Sequence, residues 1–182
     1  RLALQCDVVV ENFKVGDMAR YGLDAATLRA ADPRLVYCSI TGFGQDGPYA
    51  QRPGYDFAVQ AMGGLMSVTG EREGKADAGP QKVGVAEGDL FTGMYATVAI
   101  LAALRHRDAT GQGQVIDMAL LDCQVAMLAN LGSQYLVGGV LPQRMGNEHP
   151  SIVPYQVFAV RDGHLVLAIG NDSQFARFCQ LV

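Results

Sequence analysis

The chain has 182 residues, 49% of them hydrophobic, with 22 glycines and a formal net charge of −4, a composition that supports a globular core broken by many tight turns. The acidic balance leaves no broad basic surface for nucleic acid, and neither a signal peptide nor a run of roughly 18 apolar residues gives a membrane any hold. Cys6, Cys38, Cys123 and Cys179 lie far apart with no CxxC pair, so reduced thiols in a cytoplasmic protein are expected, with no disulfide framework and no metal site.

Val8 to Glu11 is a short β-branched run of the kind buried on both faces of a parallel sheet. It leads into Asn12-Phe13-Lys14, and polar residues at the carboxyl end of such a strand face the crevice where open α/β sheets bind ligands, so Asn12, Lys14 and Arg20 are candidate contacts for an anion. Asp24 is expected to cap a helix over LDAATLRAAD, with Pro33 beyond its end. Leu35 to Thr41 is a second buried strand, ending in the loop GFGQDGPYAQRPGYD. Gly42-Phe43-Gly44 has no third glycine opening a helix, which excludes a dinucleotide fingerprint. Tyr55 and Asp56 open a helix to Met62, and GGLMSVTG with EREGKADAGPQ reads as a surface excursion.

Apolar residues repeat at helical spacing from Phe91 to Leu104, on both sides of the cylinder, so this helix is expected to be buried. Its end, Arg105-His106-Arg107 followed by Thr110 to Gln114 (TGQGQ), suits the negative pole of the helix dipole and a glycine stop. Asp89 sits at the opposite, positive end. One reading makes it the N-cap; the other makes it a carboxylate kept ionised while its surroundings exclude water, as a nucleophile needs.

Gln114 to Ala119 reads as a strand and Leu121 to Tyr135 as a second apolar helix, with Met118 and Met127 filling core. A Gly- and Pro-rich stretch then separates residues 1–140 from 151–182, with a linker at 141–150. Beyond it YQVFAVRDGHLVLAIG alternates like a hairpin about Asp162-Gly163. The expected fold is an open parallel α/β sheet continuing through the linker into a smaller α+β domain. The chain starts on a strand and stops inside a helix, which reads as a fragment truncated at both ends.

The order ENF, SITGFGQDGPY, RPGYD, GGLMSVTG, GDLFTGMYA, LRHRDATGQGQVID and SIVPYQVF resembles the family III CoA-transferases, the group of formyl-CoA and carnitine CoA-transferases, over nearly the whole chain. Its tail most resembles the succinate–hydroxymethylglutarate branch, which acts on dicarboxylates. The resemblance implies a Rossmann-like sheet, a catalytic Asp89 nucleophile with Tyr55 beside the acyl group, and coenzyme A contacts from Asn12, Phe13, Lys14, Arg20 and the segment Arg52, Pro53, Gly54, Tyr55 and Asp56. The arginines and Lys14 would meet phosphates and Phe13 the adenine face. Coenzyme A and acyl-CoA are then substrates, with no permanently bound cofactor, and the partners are acyl-CoA, a carboxylic acid and a second copy in an interlocked homodimer.

Asp89 is expected to carry CoA from a thioester to a carboxylate acceptor through a covalent aspartyl intermediate. The segment Gly146 to Ser151 corresponds to the loop closing over the acyl site, and Arg144, His149 and Ser151 are candidate contacts for the second carboxylate of succinate or glutarate. Two alternatives stand beside this. An α-methylacyl-CoA racemase would pair the aspartate with a histidine where this chain has Tyr55, and a CoA-binding subunit without activity would leave Asp89 a cap.

Overall fold

The computed structural model describes residues 2–181. They form two compact units. The first runs to Met66 and resumes over Lys82–Leu141; the second takes Ser67–Gln81 and the chain from Pro142 onward. The expected surface excursion after Met66 thus groups with the later part of the chain, and the second unit is built from two separate stretches.

The first unit contains the expected parallel sheet. Its strands are β1 (Val8–Glu11), β2 (Val36–Thr41) and β3 (Val115–Ala119), in the order β1-β2-β3. The register pairs Val8 with Val36 and Glu11 with Ser39, then Tyr37 with Val115 and Thr41 with Ala119. Only the central strand is buried as a parallel core strand should be, with Val36, Tyr37 and Cys38 almost without exposure. β1 departs from expectation because, among the described residues, nothing pairs with its outer side, and Val10 stays 54% exposed. Helix α1 (Ala25–Ala31) sets Leu28 against Leu35 and Tyr37. Its N-terminus is held as the sequence suggests: the Thr27 backbone N–H donates to Asp24 Oδ1 over 3.0 Å.

Helix α2 (Asp56–Met62) follows the long loop, then the short α3 (Leu65–Val68) and the long α4 (Glu87–Thr110). α4 packs on β2 and β3, but not through its large side chains. Gly88, Thr92, Ala96 and Ala103 are the buried positions, whereas Met94, Val98 and Leu101 are each more than 60% exposed. The expectation of an all-round buried helix is therefore corrected: small residues allow close approach to the sheet, so they take the inner face and the bulky ones point away. At its far end Gly111 adopts a left-handed conformation with φ 75°, and its N–H donates to the Arg107 carbonyl.

The expected single helix from Leu121 to Tyr135 is two, α5 (Leu120–Ala126) and α6 (Ala129–Gly138), broken where Ala129 takes a φ of 45°. Continuous apolar composition carries no mark of such a break. All four cysteines are free, Cys38 and Cys123 buried, Cys6 and Cys179 exposed.

In the second unit β4 (Tyr155–Val160) and β5 (Gly163–Ala168) form an antiparallel hairpin, followed by α7 (Asp172–Phe178). Val160 pairs with Gly163, so the two-residue turn is Arg161-Asp162 and Gly163 already belongs to the strand. Asn171 caps α7, its Oδ1 accepting from the Gln174 N–H. No helix among the described residues is long and apolar enough to cross a membrane.

Candidate active site

A cavity of about 470 Å3 opens in the first unit beyond the carboxyl ends of β1 and β2, the position at which open α/β sheets bind ligands and a size typical of small-molecule sites. One wall is Asn12, Phe13 and Lys14, directly after β1; another is the loop Ala50 to Asp56; the third is Asp89, Thr92 and Gly93 on α4. Nine residues singled out from sequence, Asn12, Phe13, Lys14, Arg52, Pro53, Gly54, Tyr55, Asp56 and Asp89, therefore line one space.

The wall after β1 is set by a buried carboxylate that sequence reasoning missed. Glu11 ends β1 with its side chain inside the protein, where Oε1 accepts the Ser39 hydroxyl and Oε2 accepts the Phe13 backbone N–H over 2.8 Å. That charge-assisted pairing fixes the direction in which Phe13 and Lys14 leave the sheet. A carboxylate closing an apolar strand run was the available signal. The Arg52 guanidinium lies 4.1 Å above the Tyr49 ring, and Tyr49 meets Phe43 edge-on at 5.5 Å, so cation–π attraction holds this cation in the wall. Gly42 and Gly54 bring the two loops together: a Cβ on Gly42 would fall 2.4 Å from Gly54 Cα, a separation only glycine allows.

Asp89 is not the N-cap. Helix α4 begins at Glu87, and Asp89 is its third residue, in the first turn. The capping acceptor comes from elsewhere: Asp56 Oδ1 accepts the Gly88 N–H over 2.8 Å, while its Oδ2 accepts from Gln60 Nε2, also at 2.8 Å. Gln60 is itself buried and accepts the Val83 N–H. Asp56 thus lines the cavity with its carboxylate already engaged, which a partner 32 positions away in sequence made invisible to any local motif. Thr92 adds a hydrogen bond from its hydroxyl to the Gly88 carbonyl at 2.6 Å.

Relieved of capping, the Asp89 carboxylate has no hydrogen bond or ion pair among the described residues. It is reached by solvent through the cavity, yet partial desolvation there, and then the neighbouring Asp56 charge, raise its pKa above the ordinary carboxylate value. Lys14 and Arg52 supply positive charge to the same walls and Tyr55, 70% exposed, an aromatic hydroxyl. The chemistry on offer is a nucleophilic carboxylate beside a space able to hold an anionic, partly aromatic ligand. Among the described residues no cluster of three or more His, Cys, Asp or Glu is placed to hold a metal.

Arg20 is not in this space. It lies on the short 3-10 helix Met18–Tyr21, where its exposed guanidinium pairs with Asp17 at 3.3 Å. Arg144, His149 and Ser151 belong to the second unit. Arg144 Nη2 meets Glu73 Oε2 at 2.5 Å and Nε donates to the Glu71 carbonyl; Arg72 pairs with Glu148; and the Gly146 N–H donates to the Gly70 carbonyl at 3.0 Å. His149 Nδ1 accepts the Ser151 N–H at 3.0 Å and its ring stands 5.1 Å from that of Tyr155.

Comparison with known proteins identifies the family. A family model described as CoA-transferase family III matches residues 1–182. The chain is 55% identical over 182 residues to a succinate–glutarate CoA-transferase of Agrobacterium fabrum, covering all of this chain and 44% of that protein, and 45% identical over 181 residues to the human succinyl-CoA:glutarate CoA-transferase, covering 40% of it. A crystal structure of a CAIB/BAIF family protein from Brucella suis superposes with a TM-score of 0.86 at 53% identity, over 99% of this chain and 47% of that one. The chain therefore spans less than half the length of these relatives. With the family's model matched from end to end and its fold reproduced, this chain belongs to CoA-transferase family III.

Proposed function

We propose that the protein carrying this chain moves CoA from an acyl-CoA donor to a carboxylic acid acceptor, with Asp89 as the covalent nucleophile. The carrying observation is the Asp89 carboxylate itself, unpaired in a cavity whose other walls offer Lys14, Arg52, Phe13 and Tyr55. In this reaction an Asp89 oxygen attacks the thioester carbonyl carbon and the C–S bond breaks, giving a mixed anhydride and CoA thiolate. The thiolate then attacks the aspartyl carbonyl, releasing the donor's carboxylate and leaving an aspartyl-CoA thioester. The acceptor carboxylate repeats both steps in reverse, so no proton or electron is gained or lost overall.

Short dicarboxylates are the proposed substrates, supported by the succinate- and glutarate-named relatives. Arg144, His149 and Ser151 stay as proposed carboxylate contacts, and Arg144 would have to exchange Glu73 for the substrate. The proposal extends to a homodimer, supported by the exposed apolar side of α4, and to a cytoplasmic setting, supported by four free thiols. The decisive test is chemical: turnover with succinyl-CoA, quenched by hydroxylamine or borohydride, followed by peptide mapping. A modification confined to the Asp89 peptide is expected, and an unmodified Asp89 peptide in active protein would refute the covalent route.

A further inference from the structure

Gln124, on α5, is fully buried, and among the described residues neither end of its amide has a hydrogen-bond partner. A primary amide offers two donors and an acceptor oxygen, and burying them unpaired disfavours the fold relative to an apolar side chain of the same shape. The chain nevertheless clears a path for it. A Cβ on Gly63, at the end of α2, would fall 2.5 Å from Gln124 Cγ, and one on Gly88, in the first turn of α4, would fall 3.3 Å from Gln124 Oε1. That same point on Gly88 lies 3.1 Å from Asp56 Oδ1, the oxygen receiving the Gly88 N–H. Two acceptor oxygens thus border one glycine. Half a turn about the last side-chain bond exchanges the amide's oxygen and nitrogen, and hydrogen-bonding partners decide between the two orientations. The turned orientation puts Nε2 where Oε1 stands, 3.3 Å from the point on Gly88 that Asp56 Oδ1 also borders.

We propose that Gln124 is a positioning residue for CoA transfer: its amide donates to Asp56 and, with Gln60 and the Gly88 N–H, locks the first turn of α4 from which Asp89 acts. The proposal rests on Asp89 being the nucleophile. Asp89 follows Gly88 directly, so a loosened Asp56 to Gly88 contact displaces the attacking oxygen, and a nucleophile displaced by a fraction of an ångström loses its aligned approach to the thioester.

The test uses Gln124→Met and Gln124→Leu in the full-length protein, with melting temperature, acyl-CoA affinity, kcat and the trapped Asp89 adduct measured together. Both variants are expected to melt within a few degrees of wild type, because an apolar side chain relieves the buried amide oxygen while giving up the bond to Asp56, to bind acyl-CoA within about twofold of wild type, and to lose roughly ten- to a hundredfold in kcat. Combined with Asp56→Asn, either change should slow turnover no further than Asp56→Asn alone, since both act through one contact. Unchanged kcat, a loss of kcat that tracks a fall in melting temperature, failure of both variants to fold, or losses that multiply with Asp56→Asn would each overturn the positioning role. A wild-type protein that turns over without an Asp89 adduct would remove the nucleophile, a failure seen before any Gln124 variant is made.

Discussion

The cavity wall of the first unit and the loop cluster of the second carry the same kinds of side chain, arginine, carboxylate and aromatic ring, in opposite states of engagement. In the second unit Arg144 meets Glu73 and Arg72 meets Glu148, so each cation is neutralised by a neighbour and the pairs join 70–73 to 144–148. In the first, Asp89 has no partner, Lys14 forms no ion pair among the described residues, and Arg52 is steadied by the neutral ring of Tyr49. A charge already matched adds shape and little reactivity; a charge held in place without a match retains its capacity to act on a ligand. Residue type alone cannot distinguish these states, because pairing is decided by partners tens of positions away.

The sharpest break of this comparison is Asp89→Asn. It keeps the shape of an unpaired side chain and removes its charge, so CoA exchange should fall by roughly three orders of magnitude or more, as for other nucleophile replacements, while acyl-CoA still binds. Isotope exchange between labelled succinate and succinyl-CoA, with equilibrium binding alongside, measures both. Exchange at near wild-type rate would place the unpaired carboxylate outside the chemistry.

A smaller effect is expected from Asp56→Asn, read as a pH profile. On the proposed covalent route Asp89 attacks in its ionised form, and desolvation and the Asp56 charge both raise its pKa. Removing the like charge makes the ionised form of Asp89 less costly, so its pKa falls and the acid limb of kcat/KM moves to lower pH. The same sign governs stability. A carboxyl whose folded pKa is raised binds its proton more readily in the folded state, so stability present below the unfolded pKa is lost as pH rises through the raised one. Asp89→Asn should therefore melt slightly above wild type at neutral pH, with the gain vanishing in acid. An acid limb unmoved by Asp56→Asn would uncouple the two carboxylates.

The smallest effect belongs to the matched charges. Glu73→Gln loosens a pair whose carboxylate is 83% exposed, and exposed ion pairs contribute about 0.2–1 kcal/mol. If Arg144 receives a substrate carboxylate, releasing it should lower KM for succinate by a few-fold at most, with butyrate unaffected; steady-state kinetics on both acceptors decide this.

Much of the scaffold could be read in advance. β-branched runs located β1 and β2, Asp24 announced the start of α1, and the paired glycines of TGQGQ announced the end of α4, because each signal acts within a few residues. Ordered motifs also gathered nine cavity residues before their geometry was known. What escaped depends on distant partners. Asp89 looked like a cap because its true competitor, Asp56, reaches Gly88 from another helix. Glu11 looked like the polar end of a strand, though Ser39 and Phe13 make it a buried anchor. α4 was expected to be buried all round because periodicity marks apolar positions but not which of them the sheet lets close, and there alanine and threonine outcompete methionine and leucine.

The contact of Gly42 with Gly54 has a bearing on redesign. Where two main chains touch without side chains between them, the width of the cleft at that point is not adjustable by substitution, and any Cβ added on either side must push the loops apart. Attempts to alter which ligand the cavity takes will gain nothing there and should be directed at Phe13, Tyr55 and Arg52, whose side chains line the cavity. A library randomised at all five positions should accordingly return glycine at 42 and 54 in every folded clone, and variety at the other three.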